Sequence, residues 1–171
     1  MTNIELYLGL GSNQGERASY LTQAVELLTK RVGEYVRSSA VYESEPWGFA
    51  CDTPFLNQVV VVRTSLAPKD ILREIEAIER DLGRIRSSTQ RYTPRTIDID
   101  ILLYGESVID VPPSLVVPHP HIVERRFVLV PLVEVAPTGS HPLIGTTWSD
   151  LLTTCCDTGW VRKYEGARGE R

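Results

Sequence analysis

"TPRTIDIDILLYG", residues 93–105, decides how the chain is read. Ile97, Ile99 and Ile101 alternate with Asp98 and Asp100. A strand sends successive side chains to opposite faces, so the isoleucines turn to a core and the two carboxylates to the other side. Two like charges share that side directly after an arginine, Arg95. Alternation of this kind suits a half-buried strand of an antiparallel sheet with one face on a core.

Working outward, "IELYLGL" (residues 4–10) alternates well enough for a first strand, and "GSNQGE" reads as a Gly/Asn turn after it. Leu21, Ala24, Val25 and Leu28 predict a helix over 17–31, stopped by Gly33. Residues 35–43, "YVRSSAVYE", read as a second strand, followed by a long loop with two prolines. "FLNQVVVVRTSL" is rich in β-branched residues and reads as a third strand. Pro68 suits the first turn of a helix whose stripe of Ile71, Leu72, Ile75, Ile78 and Leu82 ends at Gly83. An arginine-rich loop leads into the aspartate strand. A short helix is expected over "RFVLVPLVEVA", and "WSDLL" predicts another near the end. The order β-α-β-β-α-β with a C-terminal extension predicts an α+β, ferredoxin-like antiparallel sheet with helices on one face, as a single domain over 1–171.

The chain has 171 residues and a formal net charge of −4, which argues against nucleic-acid binding driven by bulk charge. No stretch reaches the apolar length of a membrane span. The first residues have no basic n-region and reach glycines quickly, unlike a signal peptide. The initial methionine and the "EGARGER" end are those expected of a stand-alone chain. Three cysteines, Cys51, Cys155 and Cys156, form neither an even disulfide framework nor a zinc-knuckle spacing. They read as reduced thiols of a cytoplasmic protein.

Asp98 and Asp100 place their Cα atoms about 6.5 Å apart on one face. Carboxylates that close repel unless a cation sits between them, and oxygen-only ligands suit magnesium. Taken alone, the pair is equally a solvated polar face. Arg84, Arg86, Arg91 and Arg95 lie on the loop entering the strand, and guanidinium forks match phosphate oxygens. The alternative for these arginines is pairing with Glu74, Glu76 and Glu79 on the preceding helix. Carboxylates beside arginines suggest a metal–polyphosphate site. There is no G-x-x-x-x-G-K-[ST], so no P-loop holds a nucleotide here, and "GLGSNQG" is weak evidence for a phosphate cradle. Phe55 and Asn57 share a strand face, and an aromatic ring with an amide can stack on and read a flat heterocycle. Alone, Phe55 is as readily a core residue, and His119 in "VPHPH" a turn residue.

In order along the chain, "LGLGSNQG", "YESEPWG", "FLNQVVVV", "IEAIERDLGRIR", "PRTIDIDILLYG" and "VPHPHIVERRFVLVPL" resemble the 6-hydroxymethyl-7,8-dihydropterin pyrophosphokinase family of folate biosynthesis. The resemblance runs from about Tyr7 to Leu132. It implies a ferredoxin-like fold and transfer of pyrophosphate from ATP to the pterin hydroxymethyl oxygen, giving AMP and the pterin diphosphate. It implies that Asp98 and Asp100 bind two Mg²⁺ ions and that Arg86 and Arg95 meet the phosphates in catalysis. Glu79, Arg84, Arg86, Arg95, His119 and Arg125 match ATP contacts. Phe55 and Phe127 match the rings that sandwich the pterin, Asn57 the amide that reads its edge, and Ser44, Glu45, Pro46 and Trp47 the pocket wall. The expected partners are these two small molecules, with neither nucleic acid nor membrane.

Three positions depart from the family pattern. Tyr92-Thr93 stands where a Trp-Gly pair is common, the arginine loop is one residue longer, and Phe55 replaces a frequent tyrosine. Two other classes fit parts of the sequence. An RNA-binding module would use an open sheet and Tyr92, but it lacks an RNP-like aromatic run and places aspartates where bases would stack. Another magnesium-dependent nucleotide-transferring enzyme would share the aspartates but not the aromatic–amide pocket.

Overall fold

Strand β1 (Ile4–Ser12) is the spine of the sheet, lying between β4 (Phe55–Thr64) and β5 (Asp98–Tyr104) and antiparallel to both. The computed structural model describes residues 2–46, 53–85 and 95–166. Beyond β4 the sheet continues into β2 (Glu34–Ser38) and β3 (Tyr42–Ser44), which pair with successive halves of β4. The path runs β5-β1-β4-β3-β8, where β8 (Val161–Lys163) is contributed by the C-terminal extension. A small hairpin, β6 (Ile109–Val111) and β7 (Leu115–Val117), follows β5.

The single strand expected over 35–43 is two strands. Ser39 interrupts it: its hydroxyl accepts from the Val59 amide at 3.0 Å and donates to the Ala40 carbonyl at 2.7 Å. A serine side chain here replaces one rung of the ladder with its own hydrogen bonds.

One core lies between the sheet and two helices, α1 (Arg17–Arg31) and α2 (Pro68–Asp81). Leu6, Leu8 and Leu10 of β1 face Leu21, Ala24 and Leu28 of α1 and Ile71, Ile75 and Ile78 of α2, all essentially out of water. Truncating one of these leucines to alanine would cost about 2–5 kcal/mol, combining lost transfer energy with a cavity.

The expectation of helices on one face only is corrected by a second core. Val59, Val61, Leu102 and Leu103 are buried on the opposite face beneath Leu129, Leu132 and Val135 of α3 (Arg126–Val135) and Trp148 of α4 (Trp148–Thr153). The cause lies in β4. Its run Val59-Val60-Val61-Val62 is apolar on both faces, so neither face can remain in water. A register shift where β1 meets β5 adds to this, placing both Leu102 and Leu103 in the second core. The C-terminal half of α3 is pinned to the sheet. Arg37 donates to the Val135 carbonyl at 2.8 Å, and Glu134 accepts from Tyr42 at 2.8 Å. Its N-terminal half carries Phe127 and Val128, which line the same cavity as Asp98 and Asp100. Among the described residues, no helix is long and apolar enough to cross a membrane.

Candidate active site

Residues directly opposite in a ladder project to the same face. Gly11 of β1 stands between Asp98 of β5 and Asn57 of β4, and Gly9 stands between Asp100 and Val59. Ser44 of β3 pairs with Phe55. Two carboxylates therefore flank one side of a floor made of glycines, and an amide and a phenyl ring flank the other. Glycine projects no side chain, so the floor is a trough. A Cβ on Gly11 would sit 3.6 Å from Asn57 Oδ1 and 3.7 Å from the Phe55 ring. The turn expected over "GSNQGE" starts two residues later, Gly11 and Ser12 being the last residues of β1.

Above the trough lies a cavity of about 810 Å³, its mouth included. Gly9, Gly11, Ser44, Glu45, Phe55, Asn57, Arg95, Asp98, Asp100, His119, Arg125 and Phe127 all line it. A second groove of about 950 Å³ runs along β5, between α2 and the β6–β7 hairpin. Glu76, Glu79, Ile99, Ile101, Leu115 and Val116 line it. Asp100, His119 and His121 belong to both spaces and stand at their junction. Of the residues expected at the site, Trp47 and Arg86 lie outside the described residues. Pro46 lines a smaller cleft beside the main cavity, together with Ser44, Glu45 and Phe127. Glu79 and Arg84 meet at the far end of α2.

The two aspartates differ in their partners. Asp98 accepts from Arg84 at 2.9 Å through one oxygen and from Arg95 at 2.8 Å through the other. Arg84 also pairs with Glu79, a buried carboxylate of α2, so the pairing of the arginine loop with the preceding helix occurs alongside the site. Among the described residues, no hydrogen-bond donor reaches Asp100. Burial, and then the nearby Asp98 charge, push the Asp100 carboxyl up to about 7, against the pull of Arg125, Arg95 and Arg84.

Arg95 is held at its backbone. Its N–H donates to Asn13 Oδ1 at 2.6 Å, and its carbonyl accepts from the Asn13 N–H at 3.0 Å. Asn57 is held through its amide, which donates to the Ser44 hydroxyl at 2.7 Å. That bond sets the orientation of the amide and leaves its carbonyl turned toward Gly11. His119 Nδ1 accepts from the His121 N–H at 3.2 Å. Burial, with Arg125 and His121 close by, lowers its pKa to about 4. The ring is therefore neutral at pH 7, with its proton on Nε2, a donor. The Arg125 guanidinium lies 5.8 Å from the centre of the Phe127 ring, within cation–π range.

Gly9, Gly11, Asn13 and His121 were not among the residues expected at the site. The signal for the glycines was present in their alternation, Gly9 and Gly11 continuing the parity of Tyr7 along β1.

An antiparallel α+β sheet with a ligand-sized cavity on one face, charged at one end and aromatic at the other, defines a small-molecule-binding class of protein. A sequence model of the 7,8-dihydro-6-hydroxymethylpterin-pyrophosphokinase (HPPK) family matches residues 7–137, and the chain belongs to that family. It is 50% identical over 133 residues to the 2-amino-4-hydroxy-6-hydroxymethyldihydropteridine pyrophosphokinase of Porphyromonas gingivalis, covering 77% of this chain and 90% of the relative. It is 44% identical over 138 residues to the enzyme of that name from Aquifex aeolicus, covering 81% and 84%. With the Bacillus subtilis enzyme the figures are 45% over 136 residues, covering 79% of each. A crystal structure of an HPPK-DHPS in complex with substrates has the same fold, with a TM-score of 0.72 at 15% identity. That match covers 90% of this chain and 43% of the larger one.

Proposed function

We infer that the chain transfers a pyrophosphoryl group from ATP to the hydroxymethyl oxygen of 6-hydroxymethyl-7,8-dihydropterin. The products are AMP and the pterin diphosphate, in folate biosynthesis. The observation that carries the reading is one cavity with Asp98, Asp100 and Arg95 at one end and Phe55, Asn57 and Phe127 at the other. We read the strand order as ferredoxin-like, the chain as one domain over 1–171, and its place as the cytoplasm, where both substrates are soluble.

In this reading Phe55 and Phe127 stack on the pterin ring, and Asn57, oriented by Ser44, reads its edge. Glu45, Pro46 and Trp47 complete the wall. ATP lies along β5 in the second groove, with its triphosphate at the junction where His119 stands. His119 donates its Nε2–H as a neutral ring and so adds no charge. The triphosphate competes for guanidinium groups that this structure engages elsewhere, Arg84 on Glu79 and Asp98, and Arg95 on Asp98. Arg86 and Arg125 supply further cationic contacts. Asn13 keeps the Arg95 backbone in place while its side chain changes partner. The attacking hydroxyl and the phosphate chain meet above the glycine floor, so the chain contributes chiefly alignment and charge neutralisation.

Magnesium fits this donor set. Asp98 and Asp100 offer only oxygen, and Asp100 is buried beside a like charge, with no hydrogen-bond donor reaching it among the described residues. Among the described residues, no cluster of three or more His, Cys, Asp or Glu side chains forms a cage, which leaves ligand positions for water and phosphate oxygens. Asp98 and Asp100 would hold two ions, whose chemistry when bound is to offset the charge of the triphosphate and the departing AMP.

The test is a product assay with ATP, Mg²⁺ and 6-hydroxymethyl-7,8-dihydropterin. AMP forming in step with pterin diphosphate, and lost in Asp98→Ala and Asp100→Ala, is the expected result. ADP in place of AMP would replace the reading with simple phosphoryl transfer. Absence of turnover by folded protein would remove the pterin as substrate.

A further inference from the structure

The family match ends at residue 137, yet a later segment touches both walls of the main cavity. Asp157 Oδ2 accepts the backbone N–H of Arg126, the first residue of α3, at 3.0 Å. The next residue along α3 is Phe127. The other Asp157 oxygen accepts from the Gly159 N–H at 2.9 Å, which shapes the turn into Trp160. The Trp160 N–H then donates to Glu45 Oε1 at 3.1 Å, on the opposite wall. From there β8 pairs with β3, Val161 opposite Ser44, and Arg162 reaches Glu43 at 2.7 Å. A cleft of about 360 Å³ between the segment and the cavity is lined by Ser44, Glu45, Phe127, Asp157 and Trp160.

The first N–H groups of a helix have no partner within the helix, and an acceptor there fixes where the helix starts. The preceding residue, Arg125, makes no side-chain cap to α3. The carboxylate of Asp157 arrives from a different part of the chain and satisfies one of those groups. Its charge also complements the positive end of the helix. The far end of α3 is held by Arg37 and Glu134, so Asp157 determines the near end, where the phenyl ring projects.

We propose that Asp157 is a positioning residue for the pterin: from outside the family match, it fixes the first turn of α3 and thereby the ring of Phe127. The proposal rests on the reading that Phe127 stacks on the pterin. It acts on binding of that substrate and leaves the phosphate end alone.

The test is steady-state kinetics of the full chain as Asp157→Ala, Phe127→Ala and the double variant, with each substrate varied in turn. Asp157→Ala is expected to raise the pterin KM about fivefold, the equivalent of one lost helix-cap bond, with the ATP KM and kcat within about twofold of the starting protein. On the Phe127→Ala background the same substitution adds nothing, because the ring through which it acts is gone. An unchanged pterin KM, a parallel rise in both KM values, or additive effects in the double variant would each overturn the proposal. If Phe127→Ala itself leaves the pterin KM unchanged, the stacking reading fails and takes the proposal with it. Should Asp157→Ala not fold, Asp157→Asn, which keeps one acceptor oxygen, carries the same cycle. Its smaller rise in pterin KM must also vanish beside Phe127→Ala.

Discussion

Asn13 and Arg95 clasp each other by two hydrogen bonds, of 2.6 and 3.0 Å, joining the end of β1 to the entry of β5. The clasp leaves the Arg95 guanidinium able to change partners while its backbone stays fixed. Asn13→Ala removes the acceptor for the Arg95 N–H, a loss on the order of 1.4 kcal/mol. If that loss falls on the reacting complex, kcat/KM for ATP drops about tenfold. Kinetics beside a thermal melt check this; a fall in melting midpoint with unchanged kcat/KM would assign the clasp to folding alone.

Arg84 and Arg95 both bind Asp98, and Arg84 also pairs with the buried Glu79. Arg84→Ala removes a cation from that buried carboxylate and is expected to destabilise the fold by about 3 kcal/mol. Arg95→Ala takes one of two arginines from the partly exposed Asp98, which keeps Arg84, and is expected to stay within about 1 kcal/mol of the starting stability. Urea titrations of the two variants distinguish them, and equal destabilisation would contradict the assignment. Both variants are expected to raise the KM for ATP.

The glycine floor separates stability from activity. A methyl group at Gly11 meets Asn57 and Phe55 at ordinary contact distance, so Gly11→Ala folds normally. The same methyl stands where the substrate must lie. Overfilling a packed site by one carbon costs about 1–3 kcal/mol, so the pterin KM rises about tenfold or more. Isothermal titration with the pterin is the direct check, and unchanged affinity would mean that the ligand does not reach the floor.

His119 gives stability a pH dependence of known sign. Burial holds its folded pKa at about 4, below the usual value of 6.5, so the unfolded chain binds more protons between these limits. Stability is therefore complete above about pH 6.5 and falls as the pH drops toward 4. At pH 5 the loss from this group is about 2 kcal/mol. His141, also lowered by burial, adds to the loss in the same direction. His119→Gln keeps a neutral donor and removes its share. Denaturant midpoints at pH 7 and pH 5 should lie closer together in that variant; an unchanged gap would rule out His119 as the source.

Much of the site was legible because its chemistry sits on strands. Asp98 with Asp100, and Phe55 with Asn57, each share a face by simple parity, and the helices over 17–31 and from Pro68 follow their apolar stripes. Other parts depend on what lies across from them. Gly9 and Gly11 carry no side chain from which to read a face, so neither was expected at the site, and Gly11 was read into the turn that follows β1. The second core follows from four consecutive valines, but which segment covers them is decided by tertiary packing. β8 is only "VRK", too short for a pattern, and becomes a strand because β3 offers it a free edge. Arg84 was open between pairing with a helix and serving the site, and its fork reaches both.

The position of β5 has a consequence for solubility. It is the outermost strand on its side of the main sheet, and β8 ends the other side. A bare strand edge is a template on which a second chain can dock and grow into aggregate. Here the β8 border carries the exposed Arg162 and Lys163, and on the β5 border the Leu102 carbonyl already accepts from the His119 N–H at 2.9 Å, so neither offers a flat apolar template. The C-terminal extension therefore closes one side of the sheet with charge, and replacing Arg162 and Lys163 by apolar residues would open that edge to self-association.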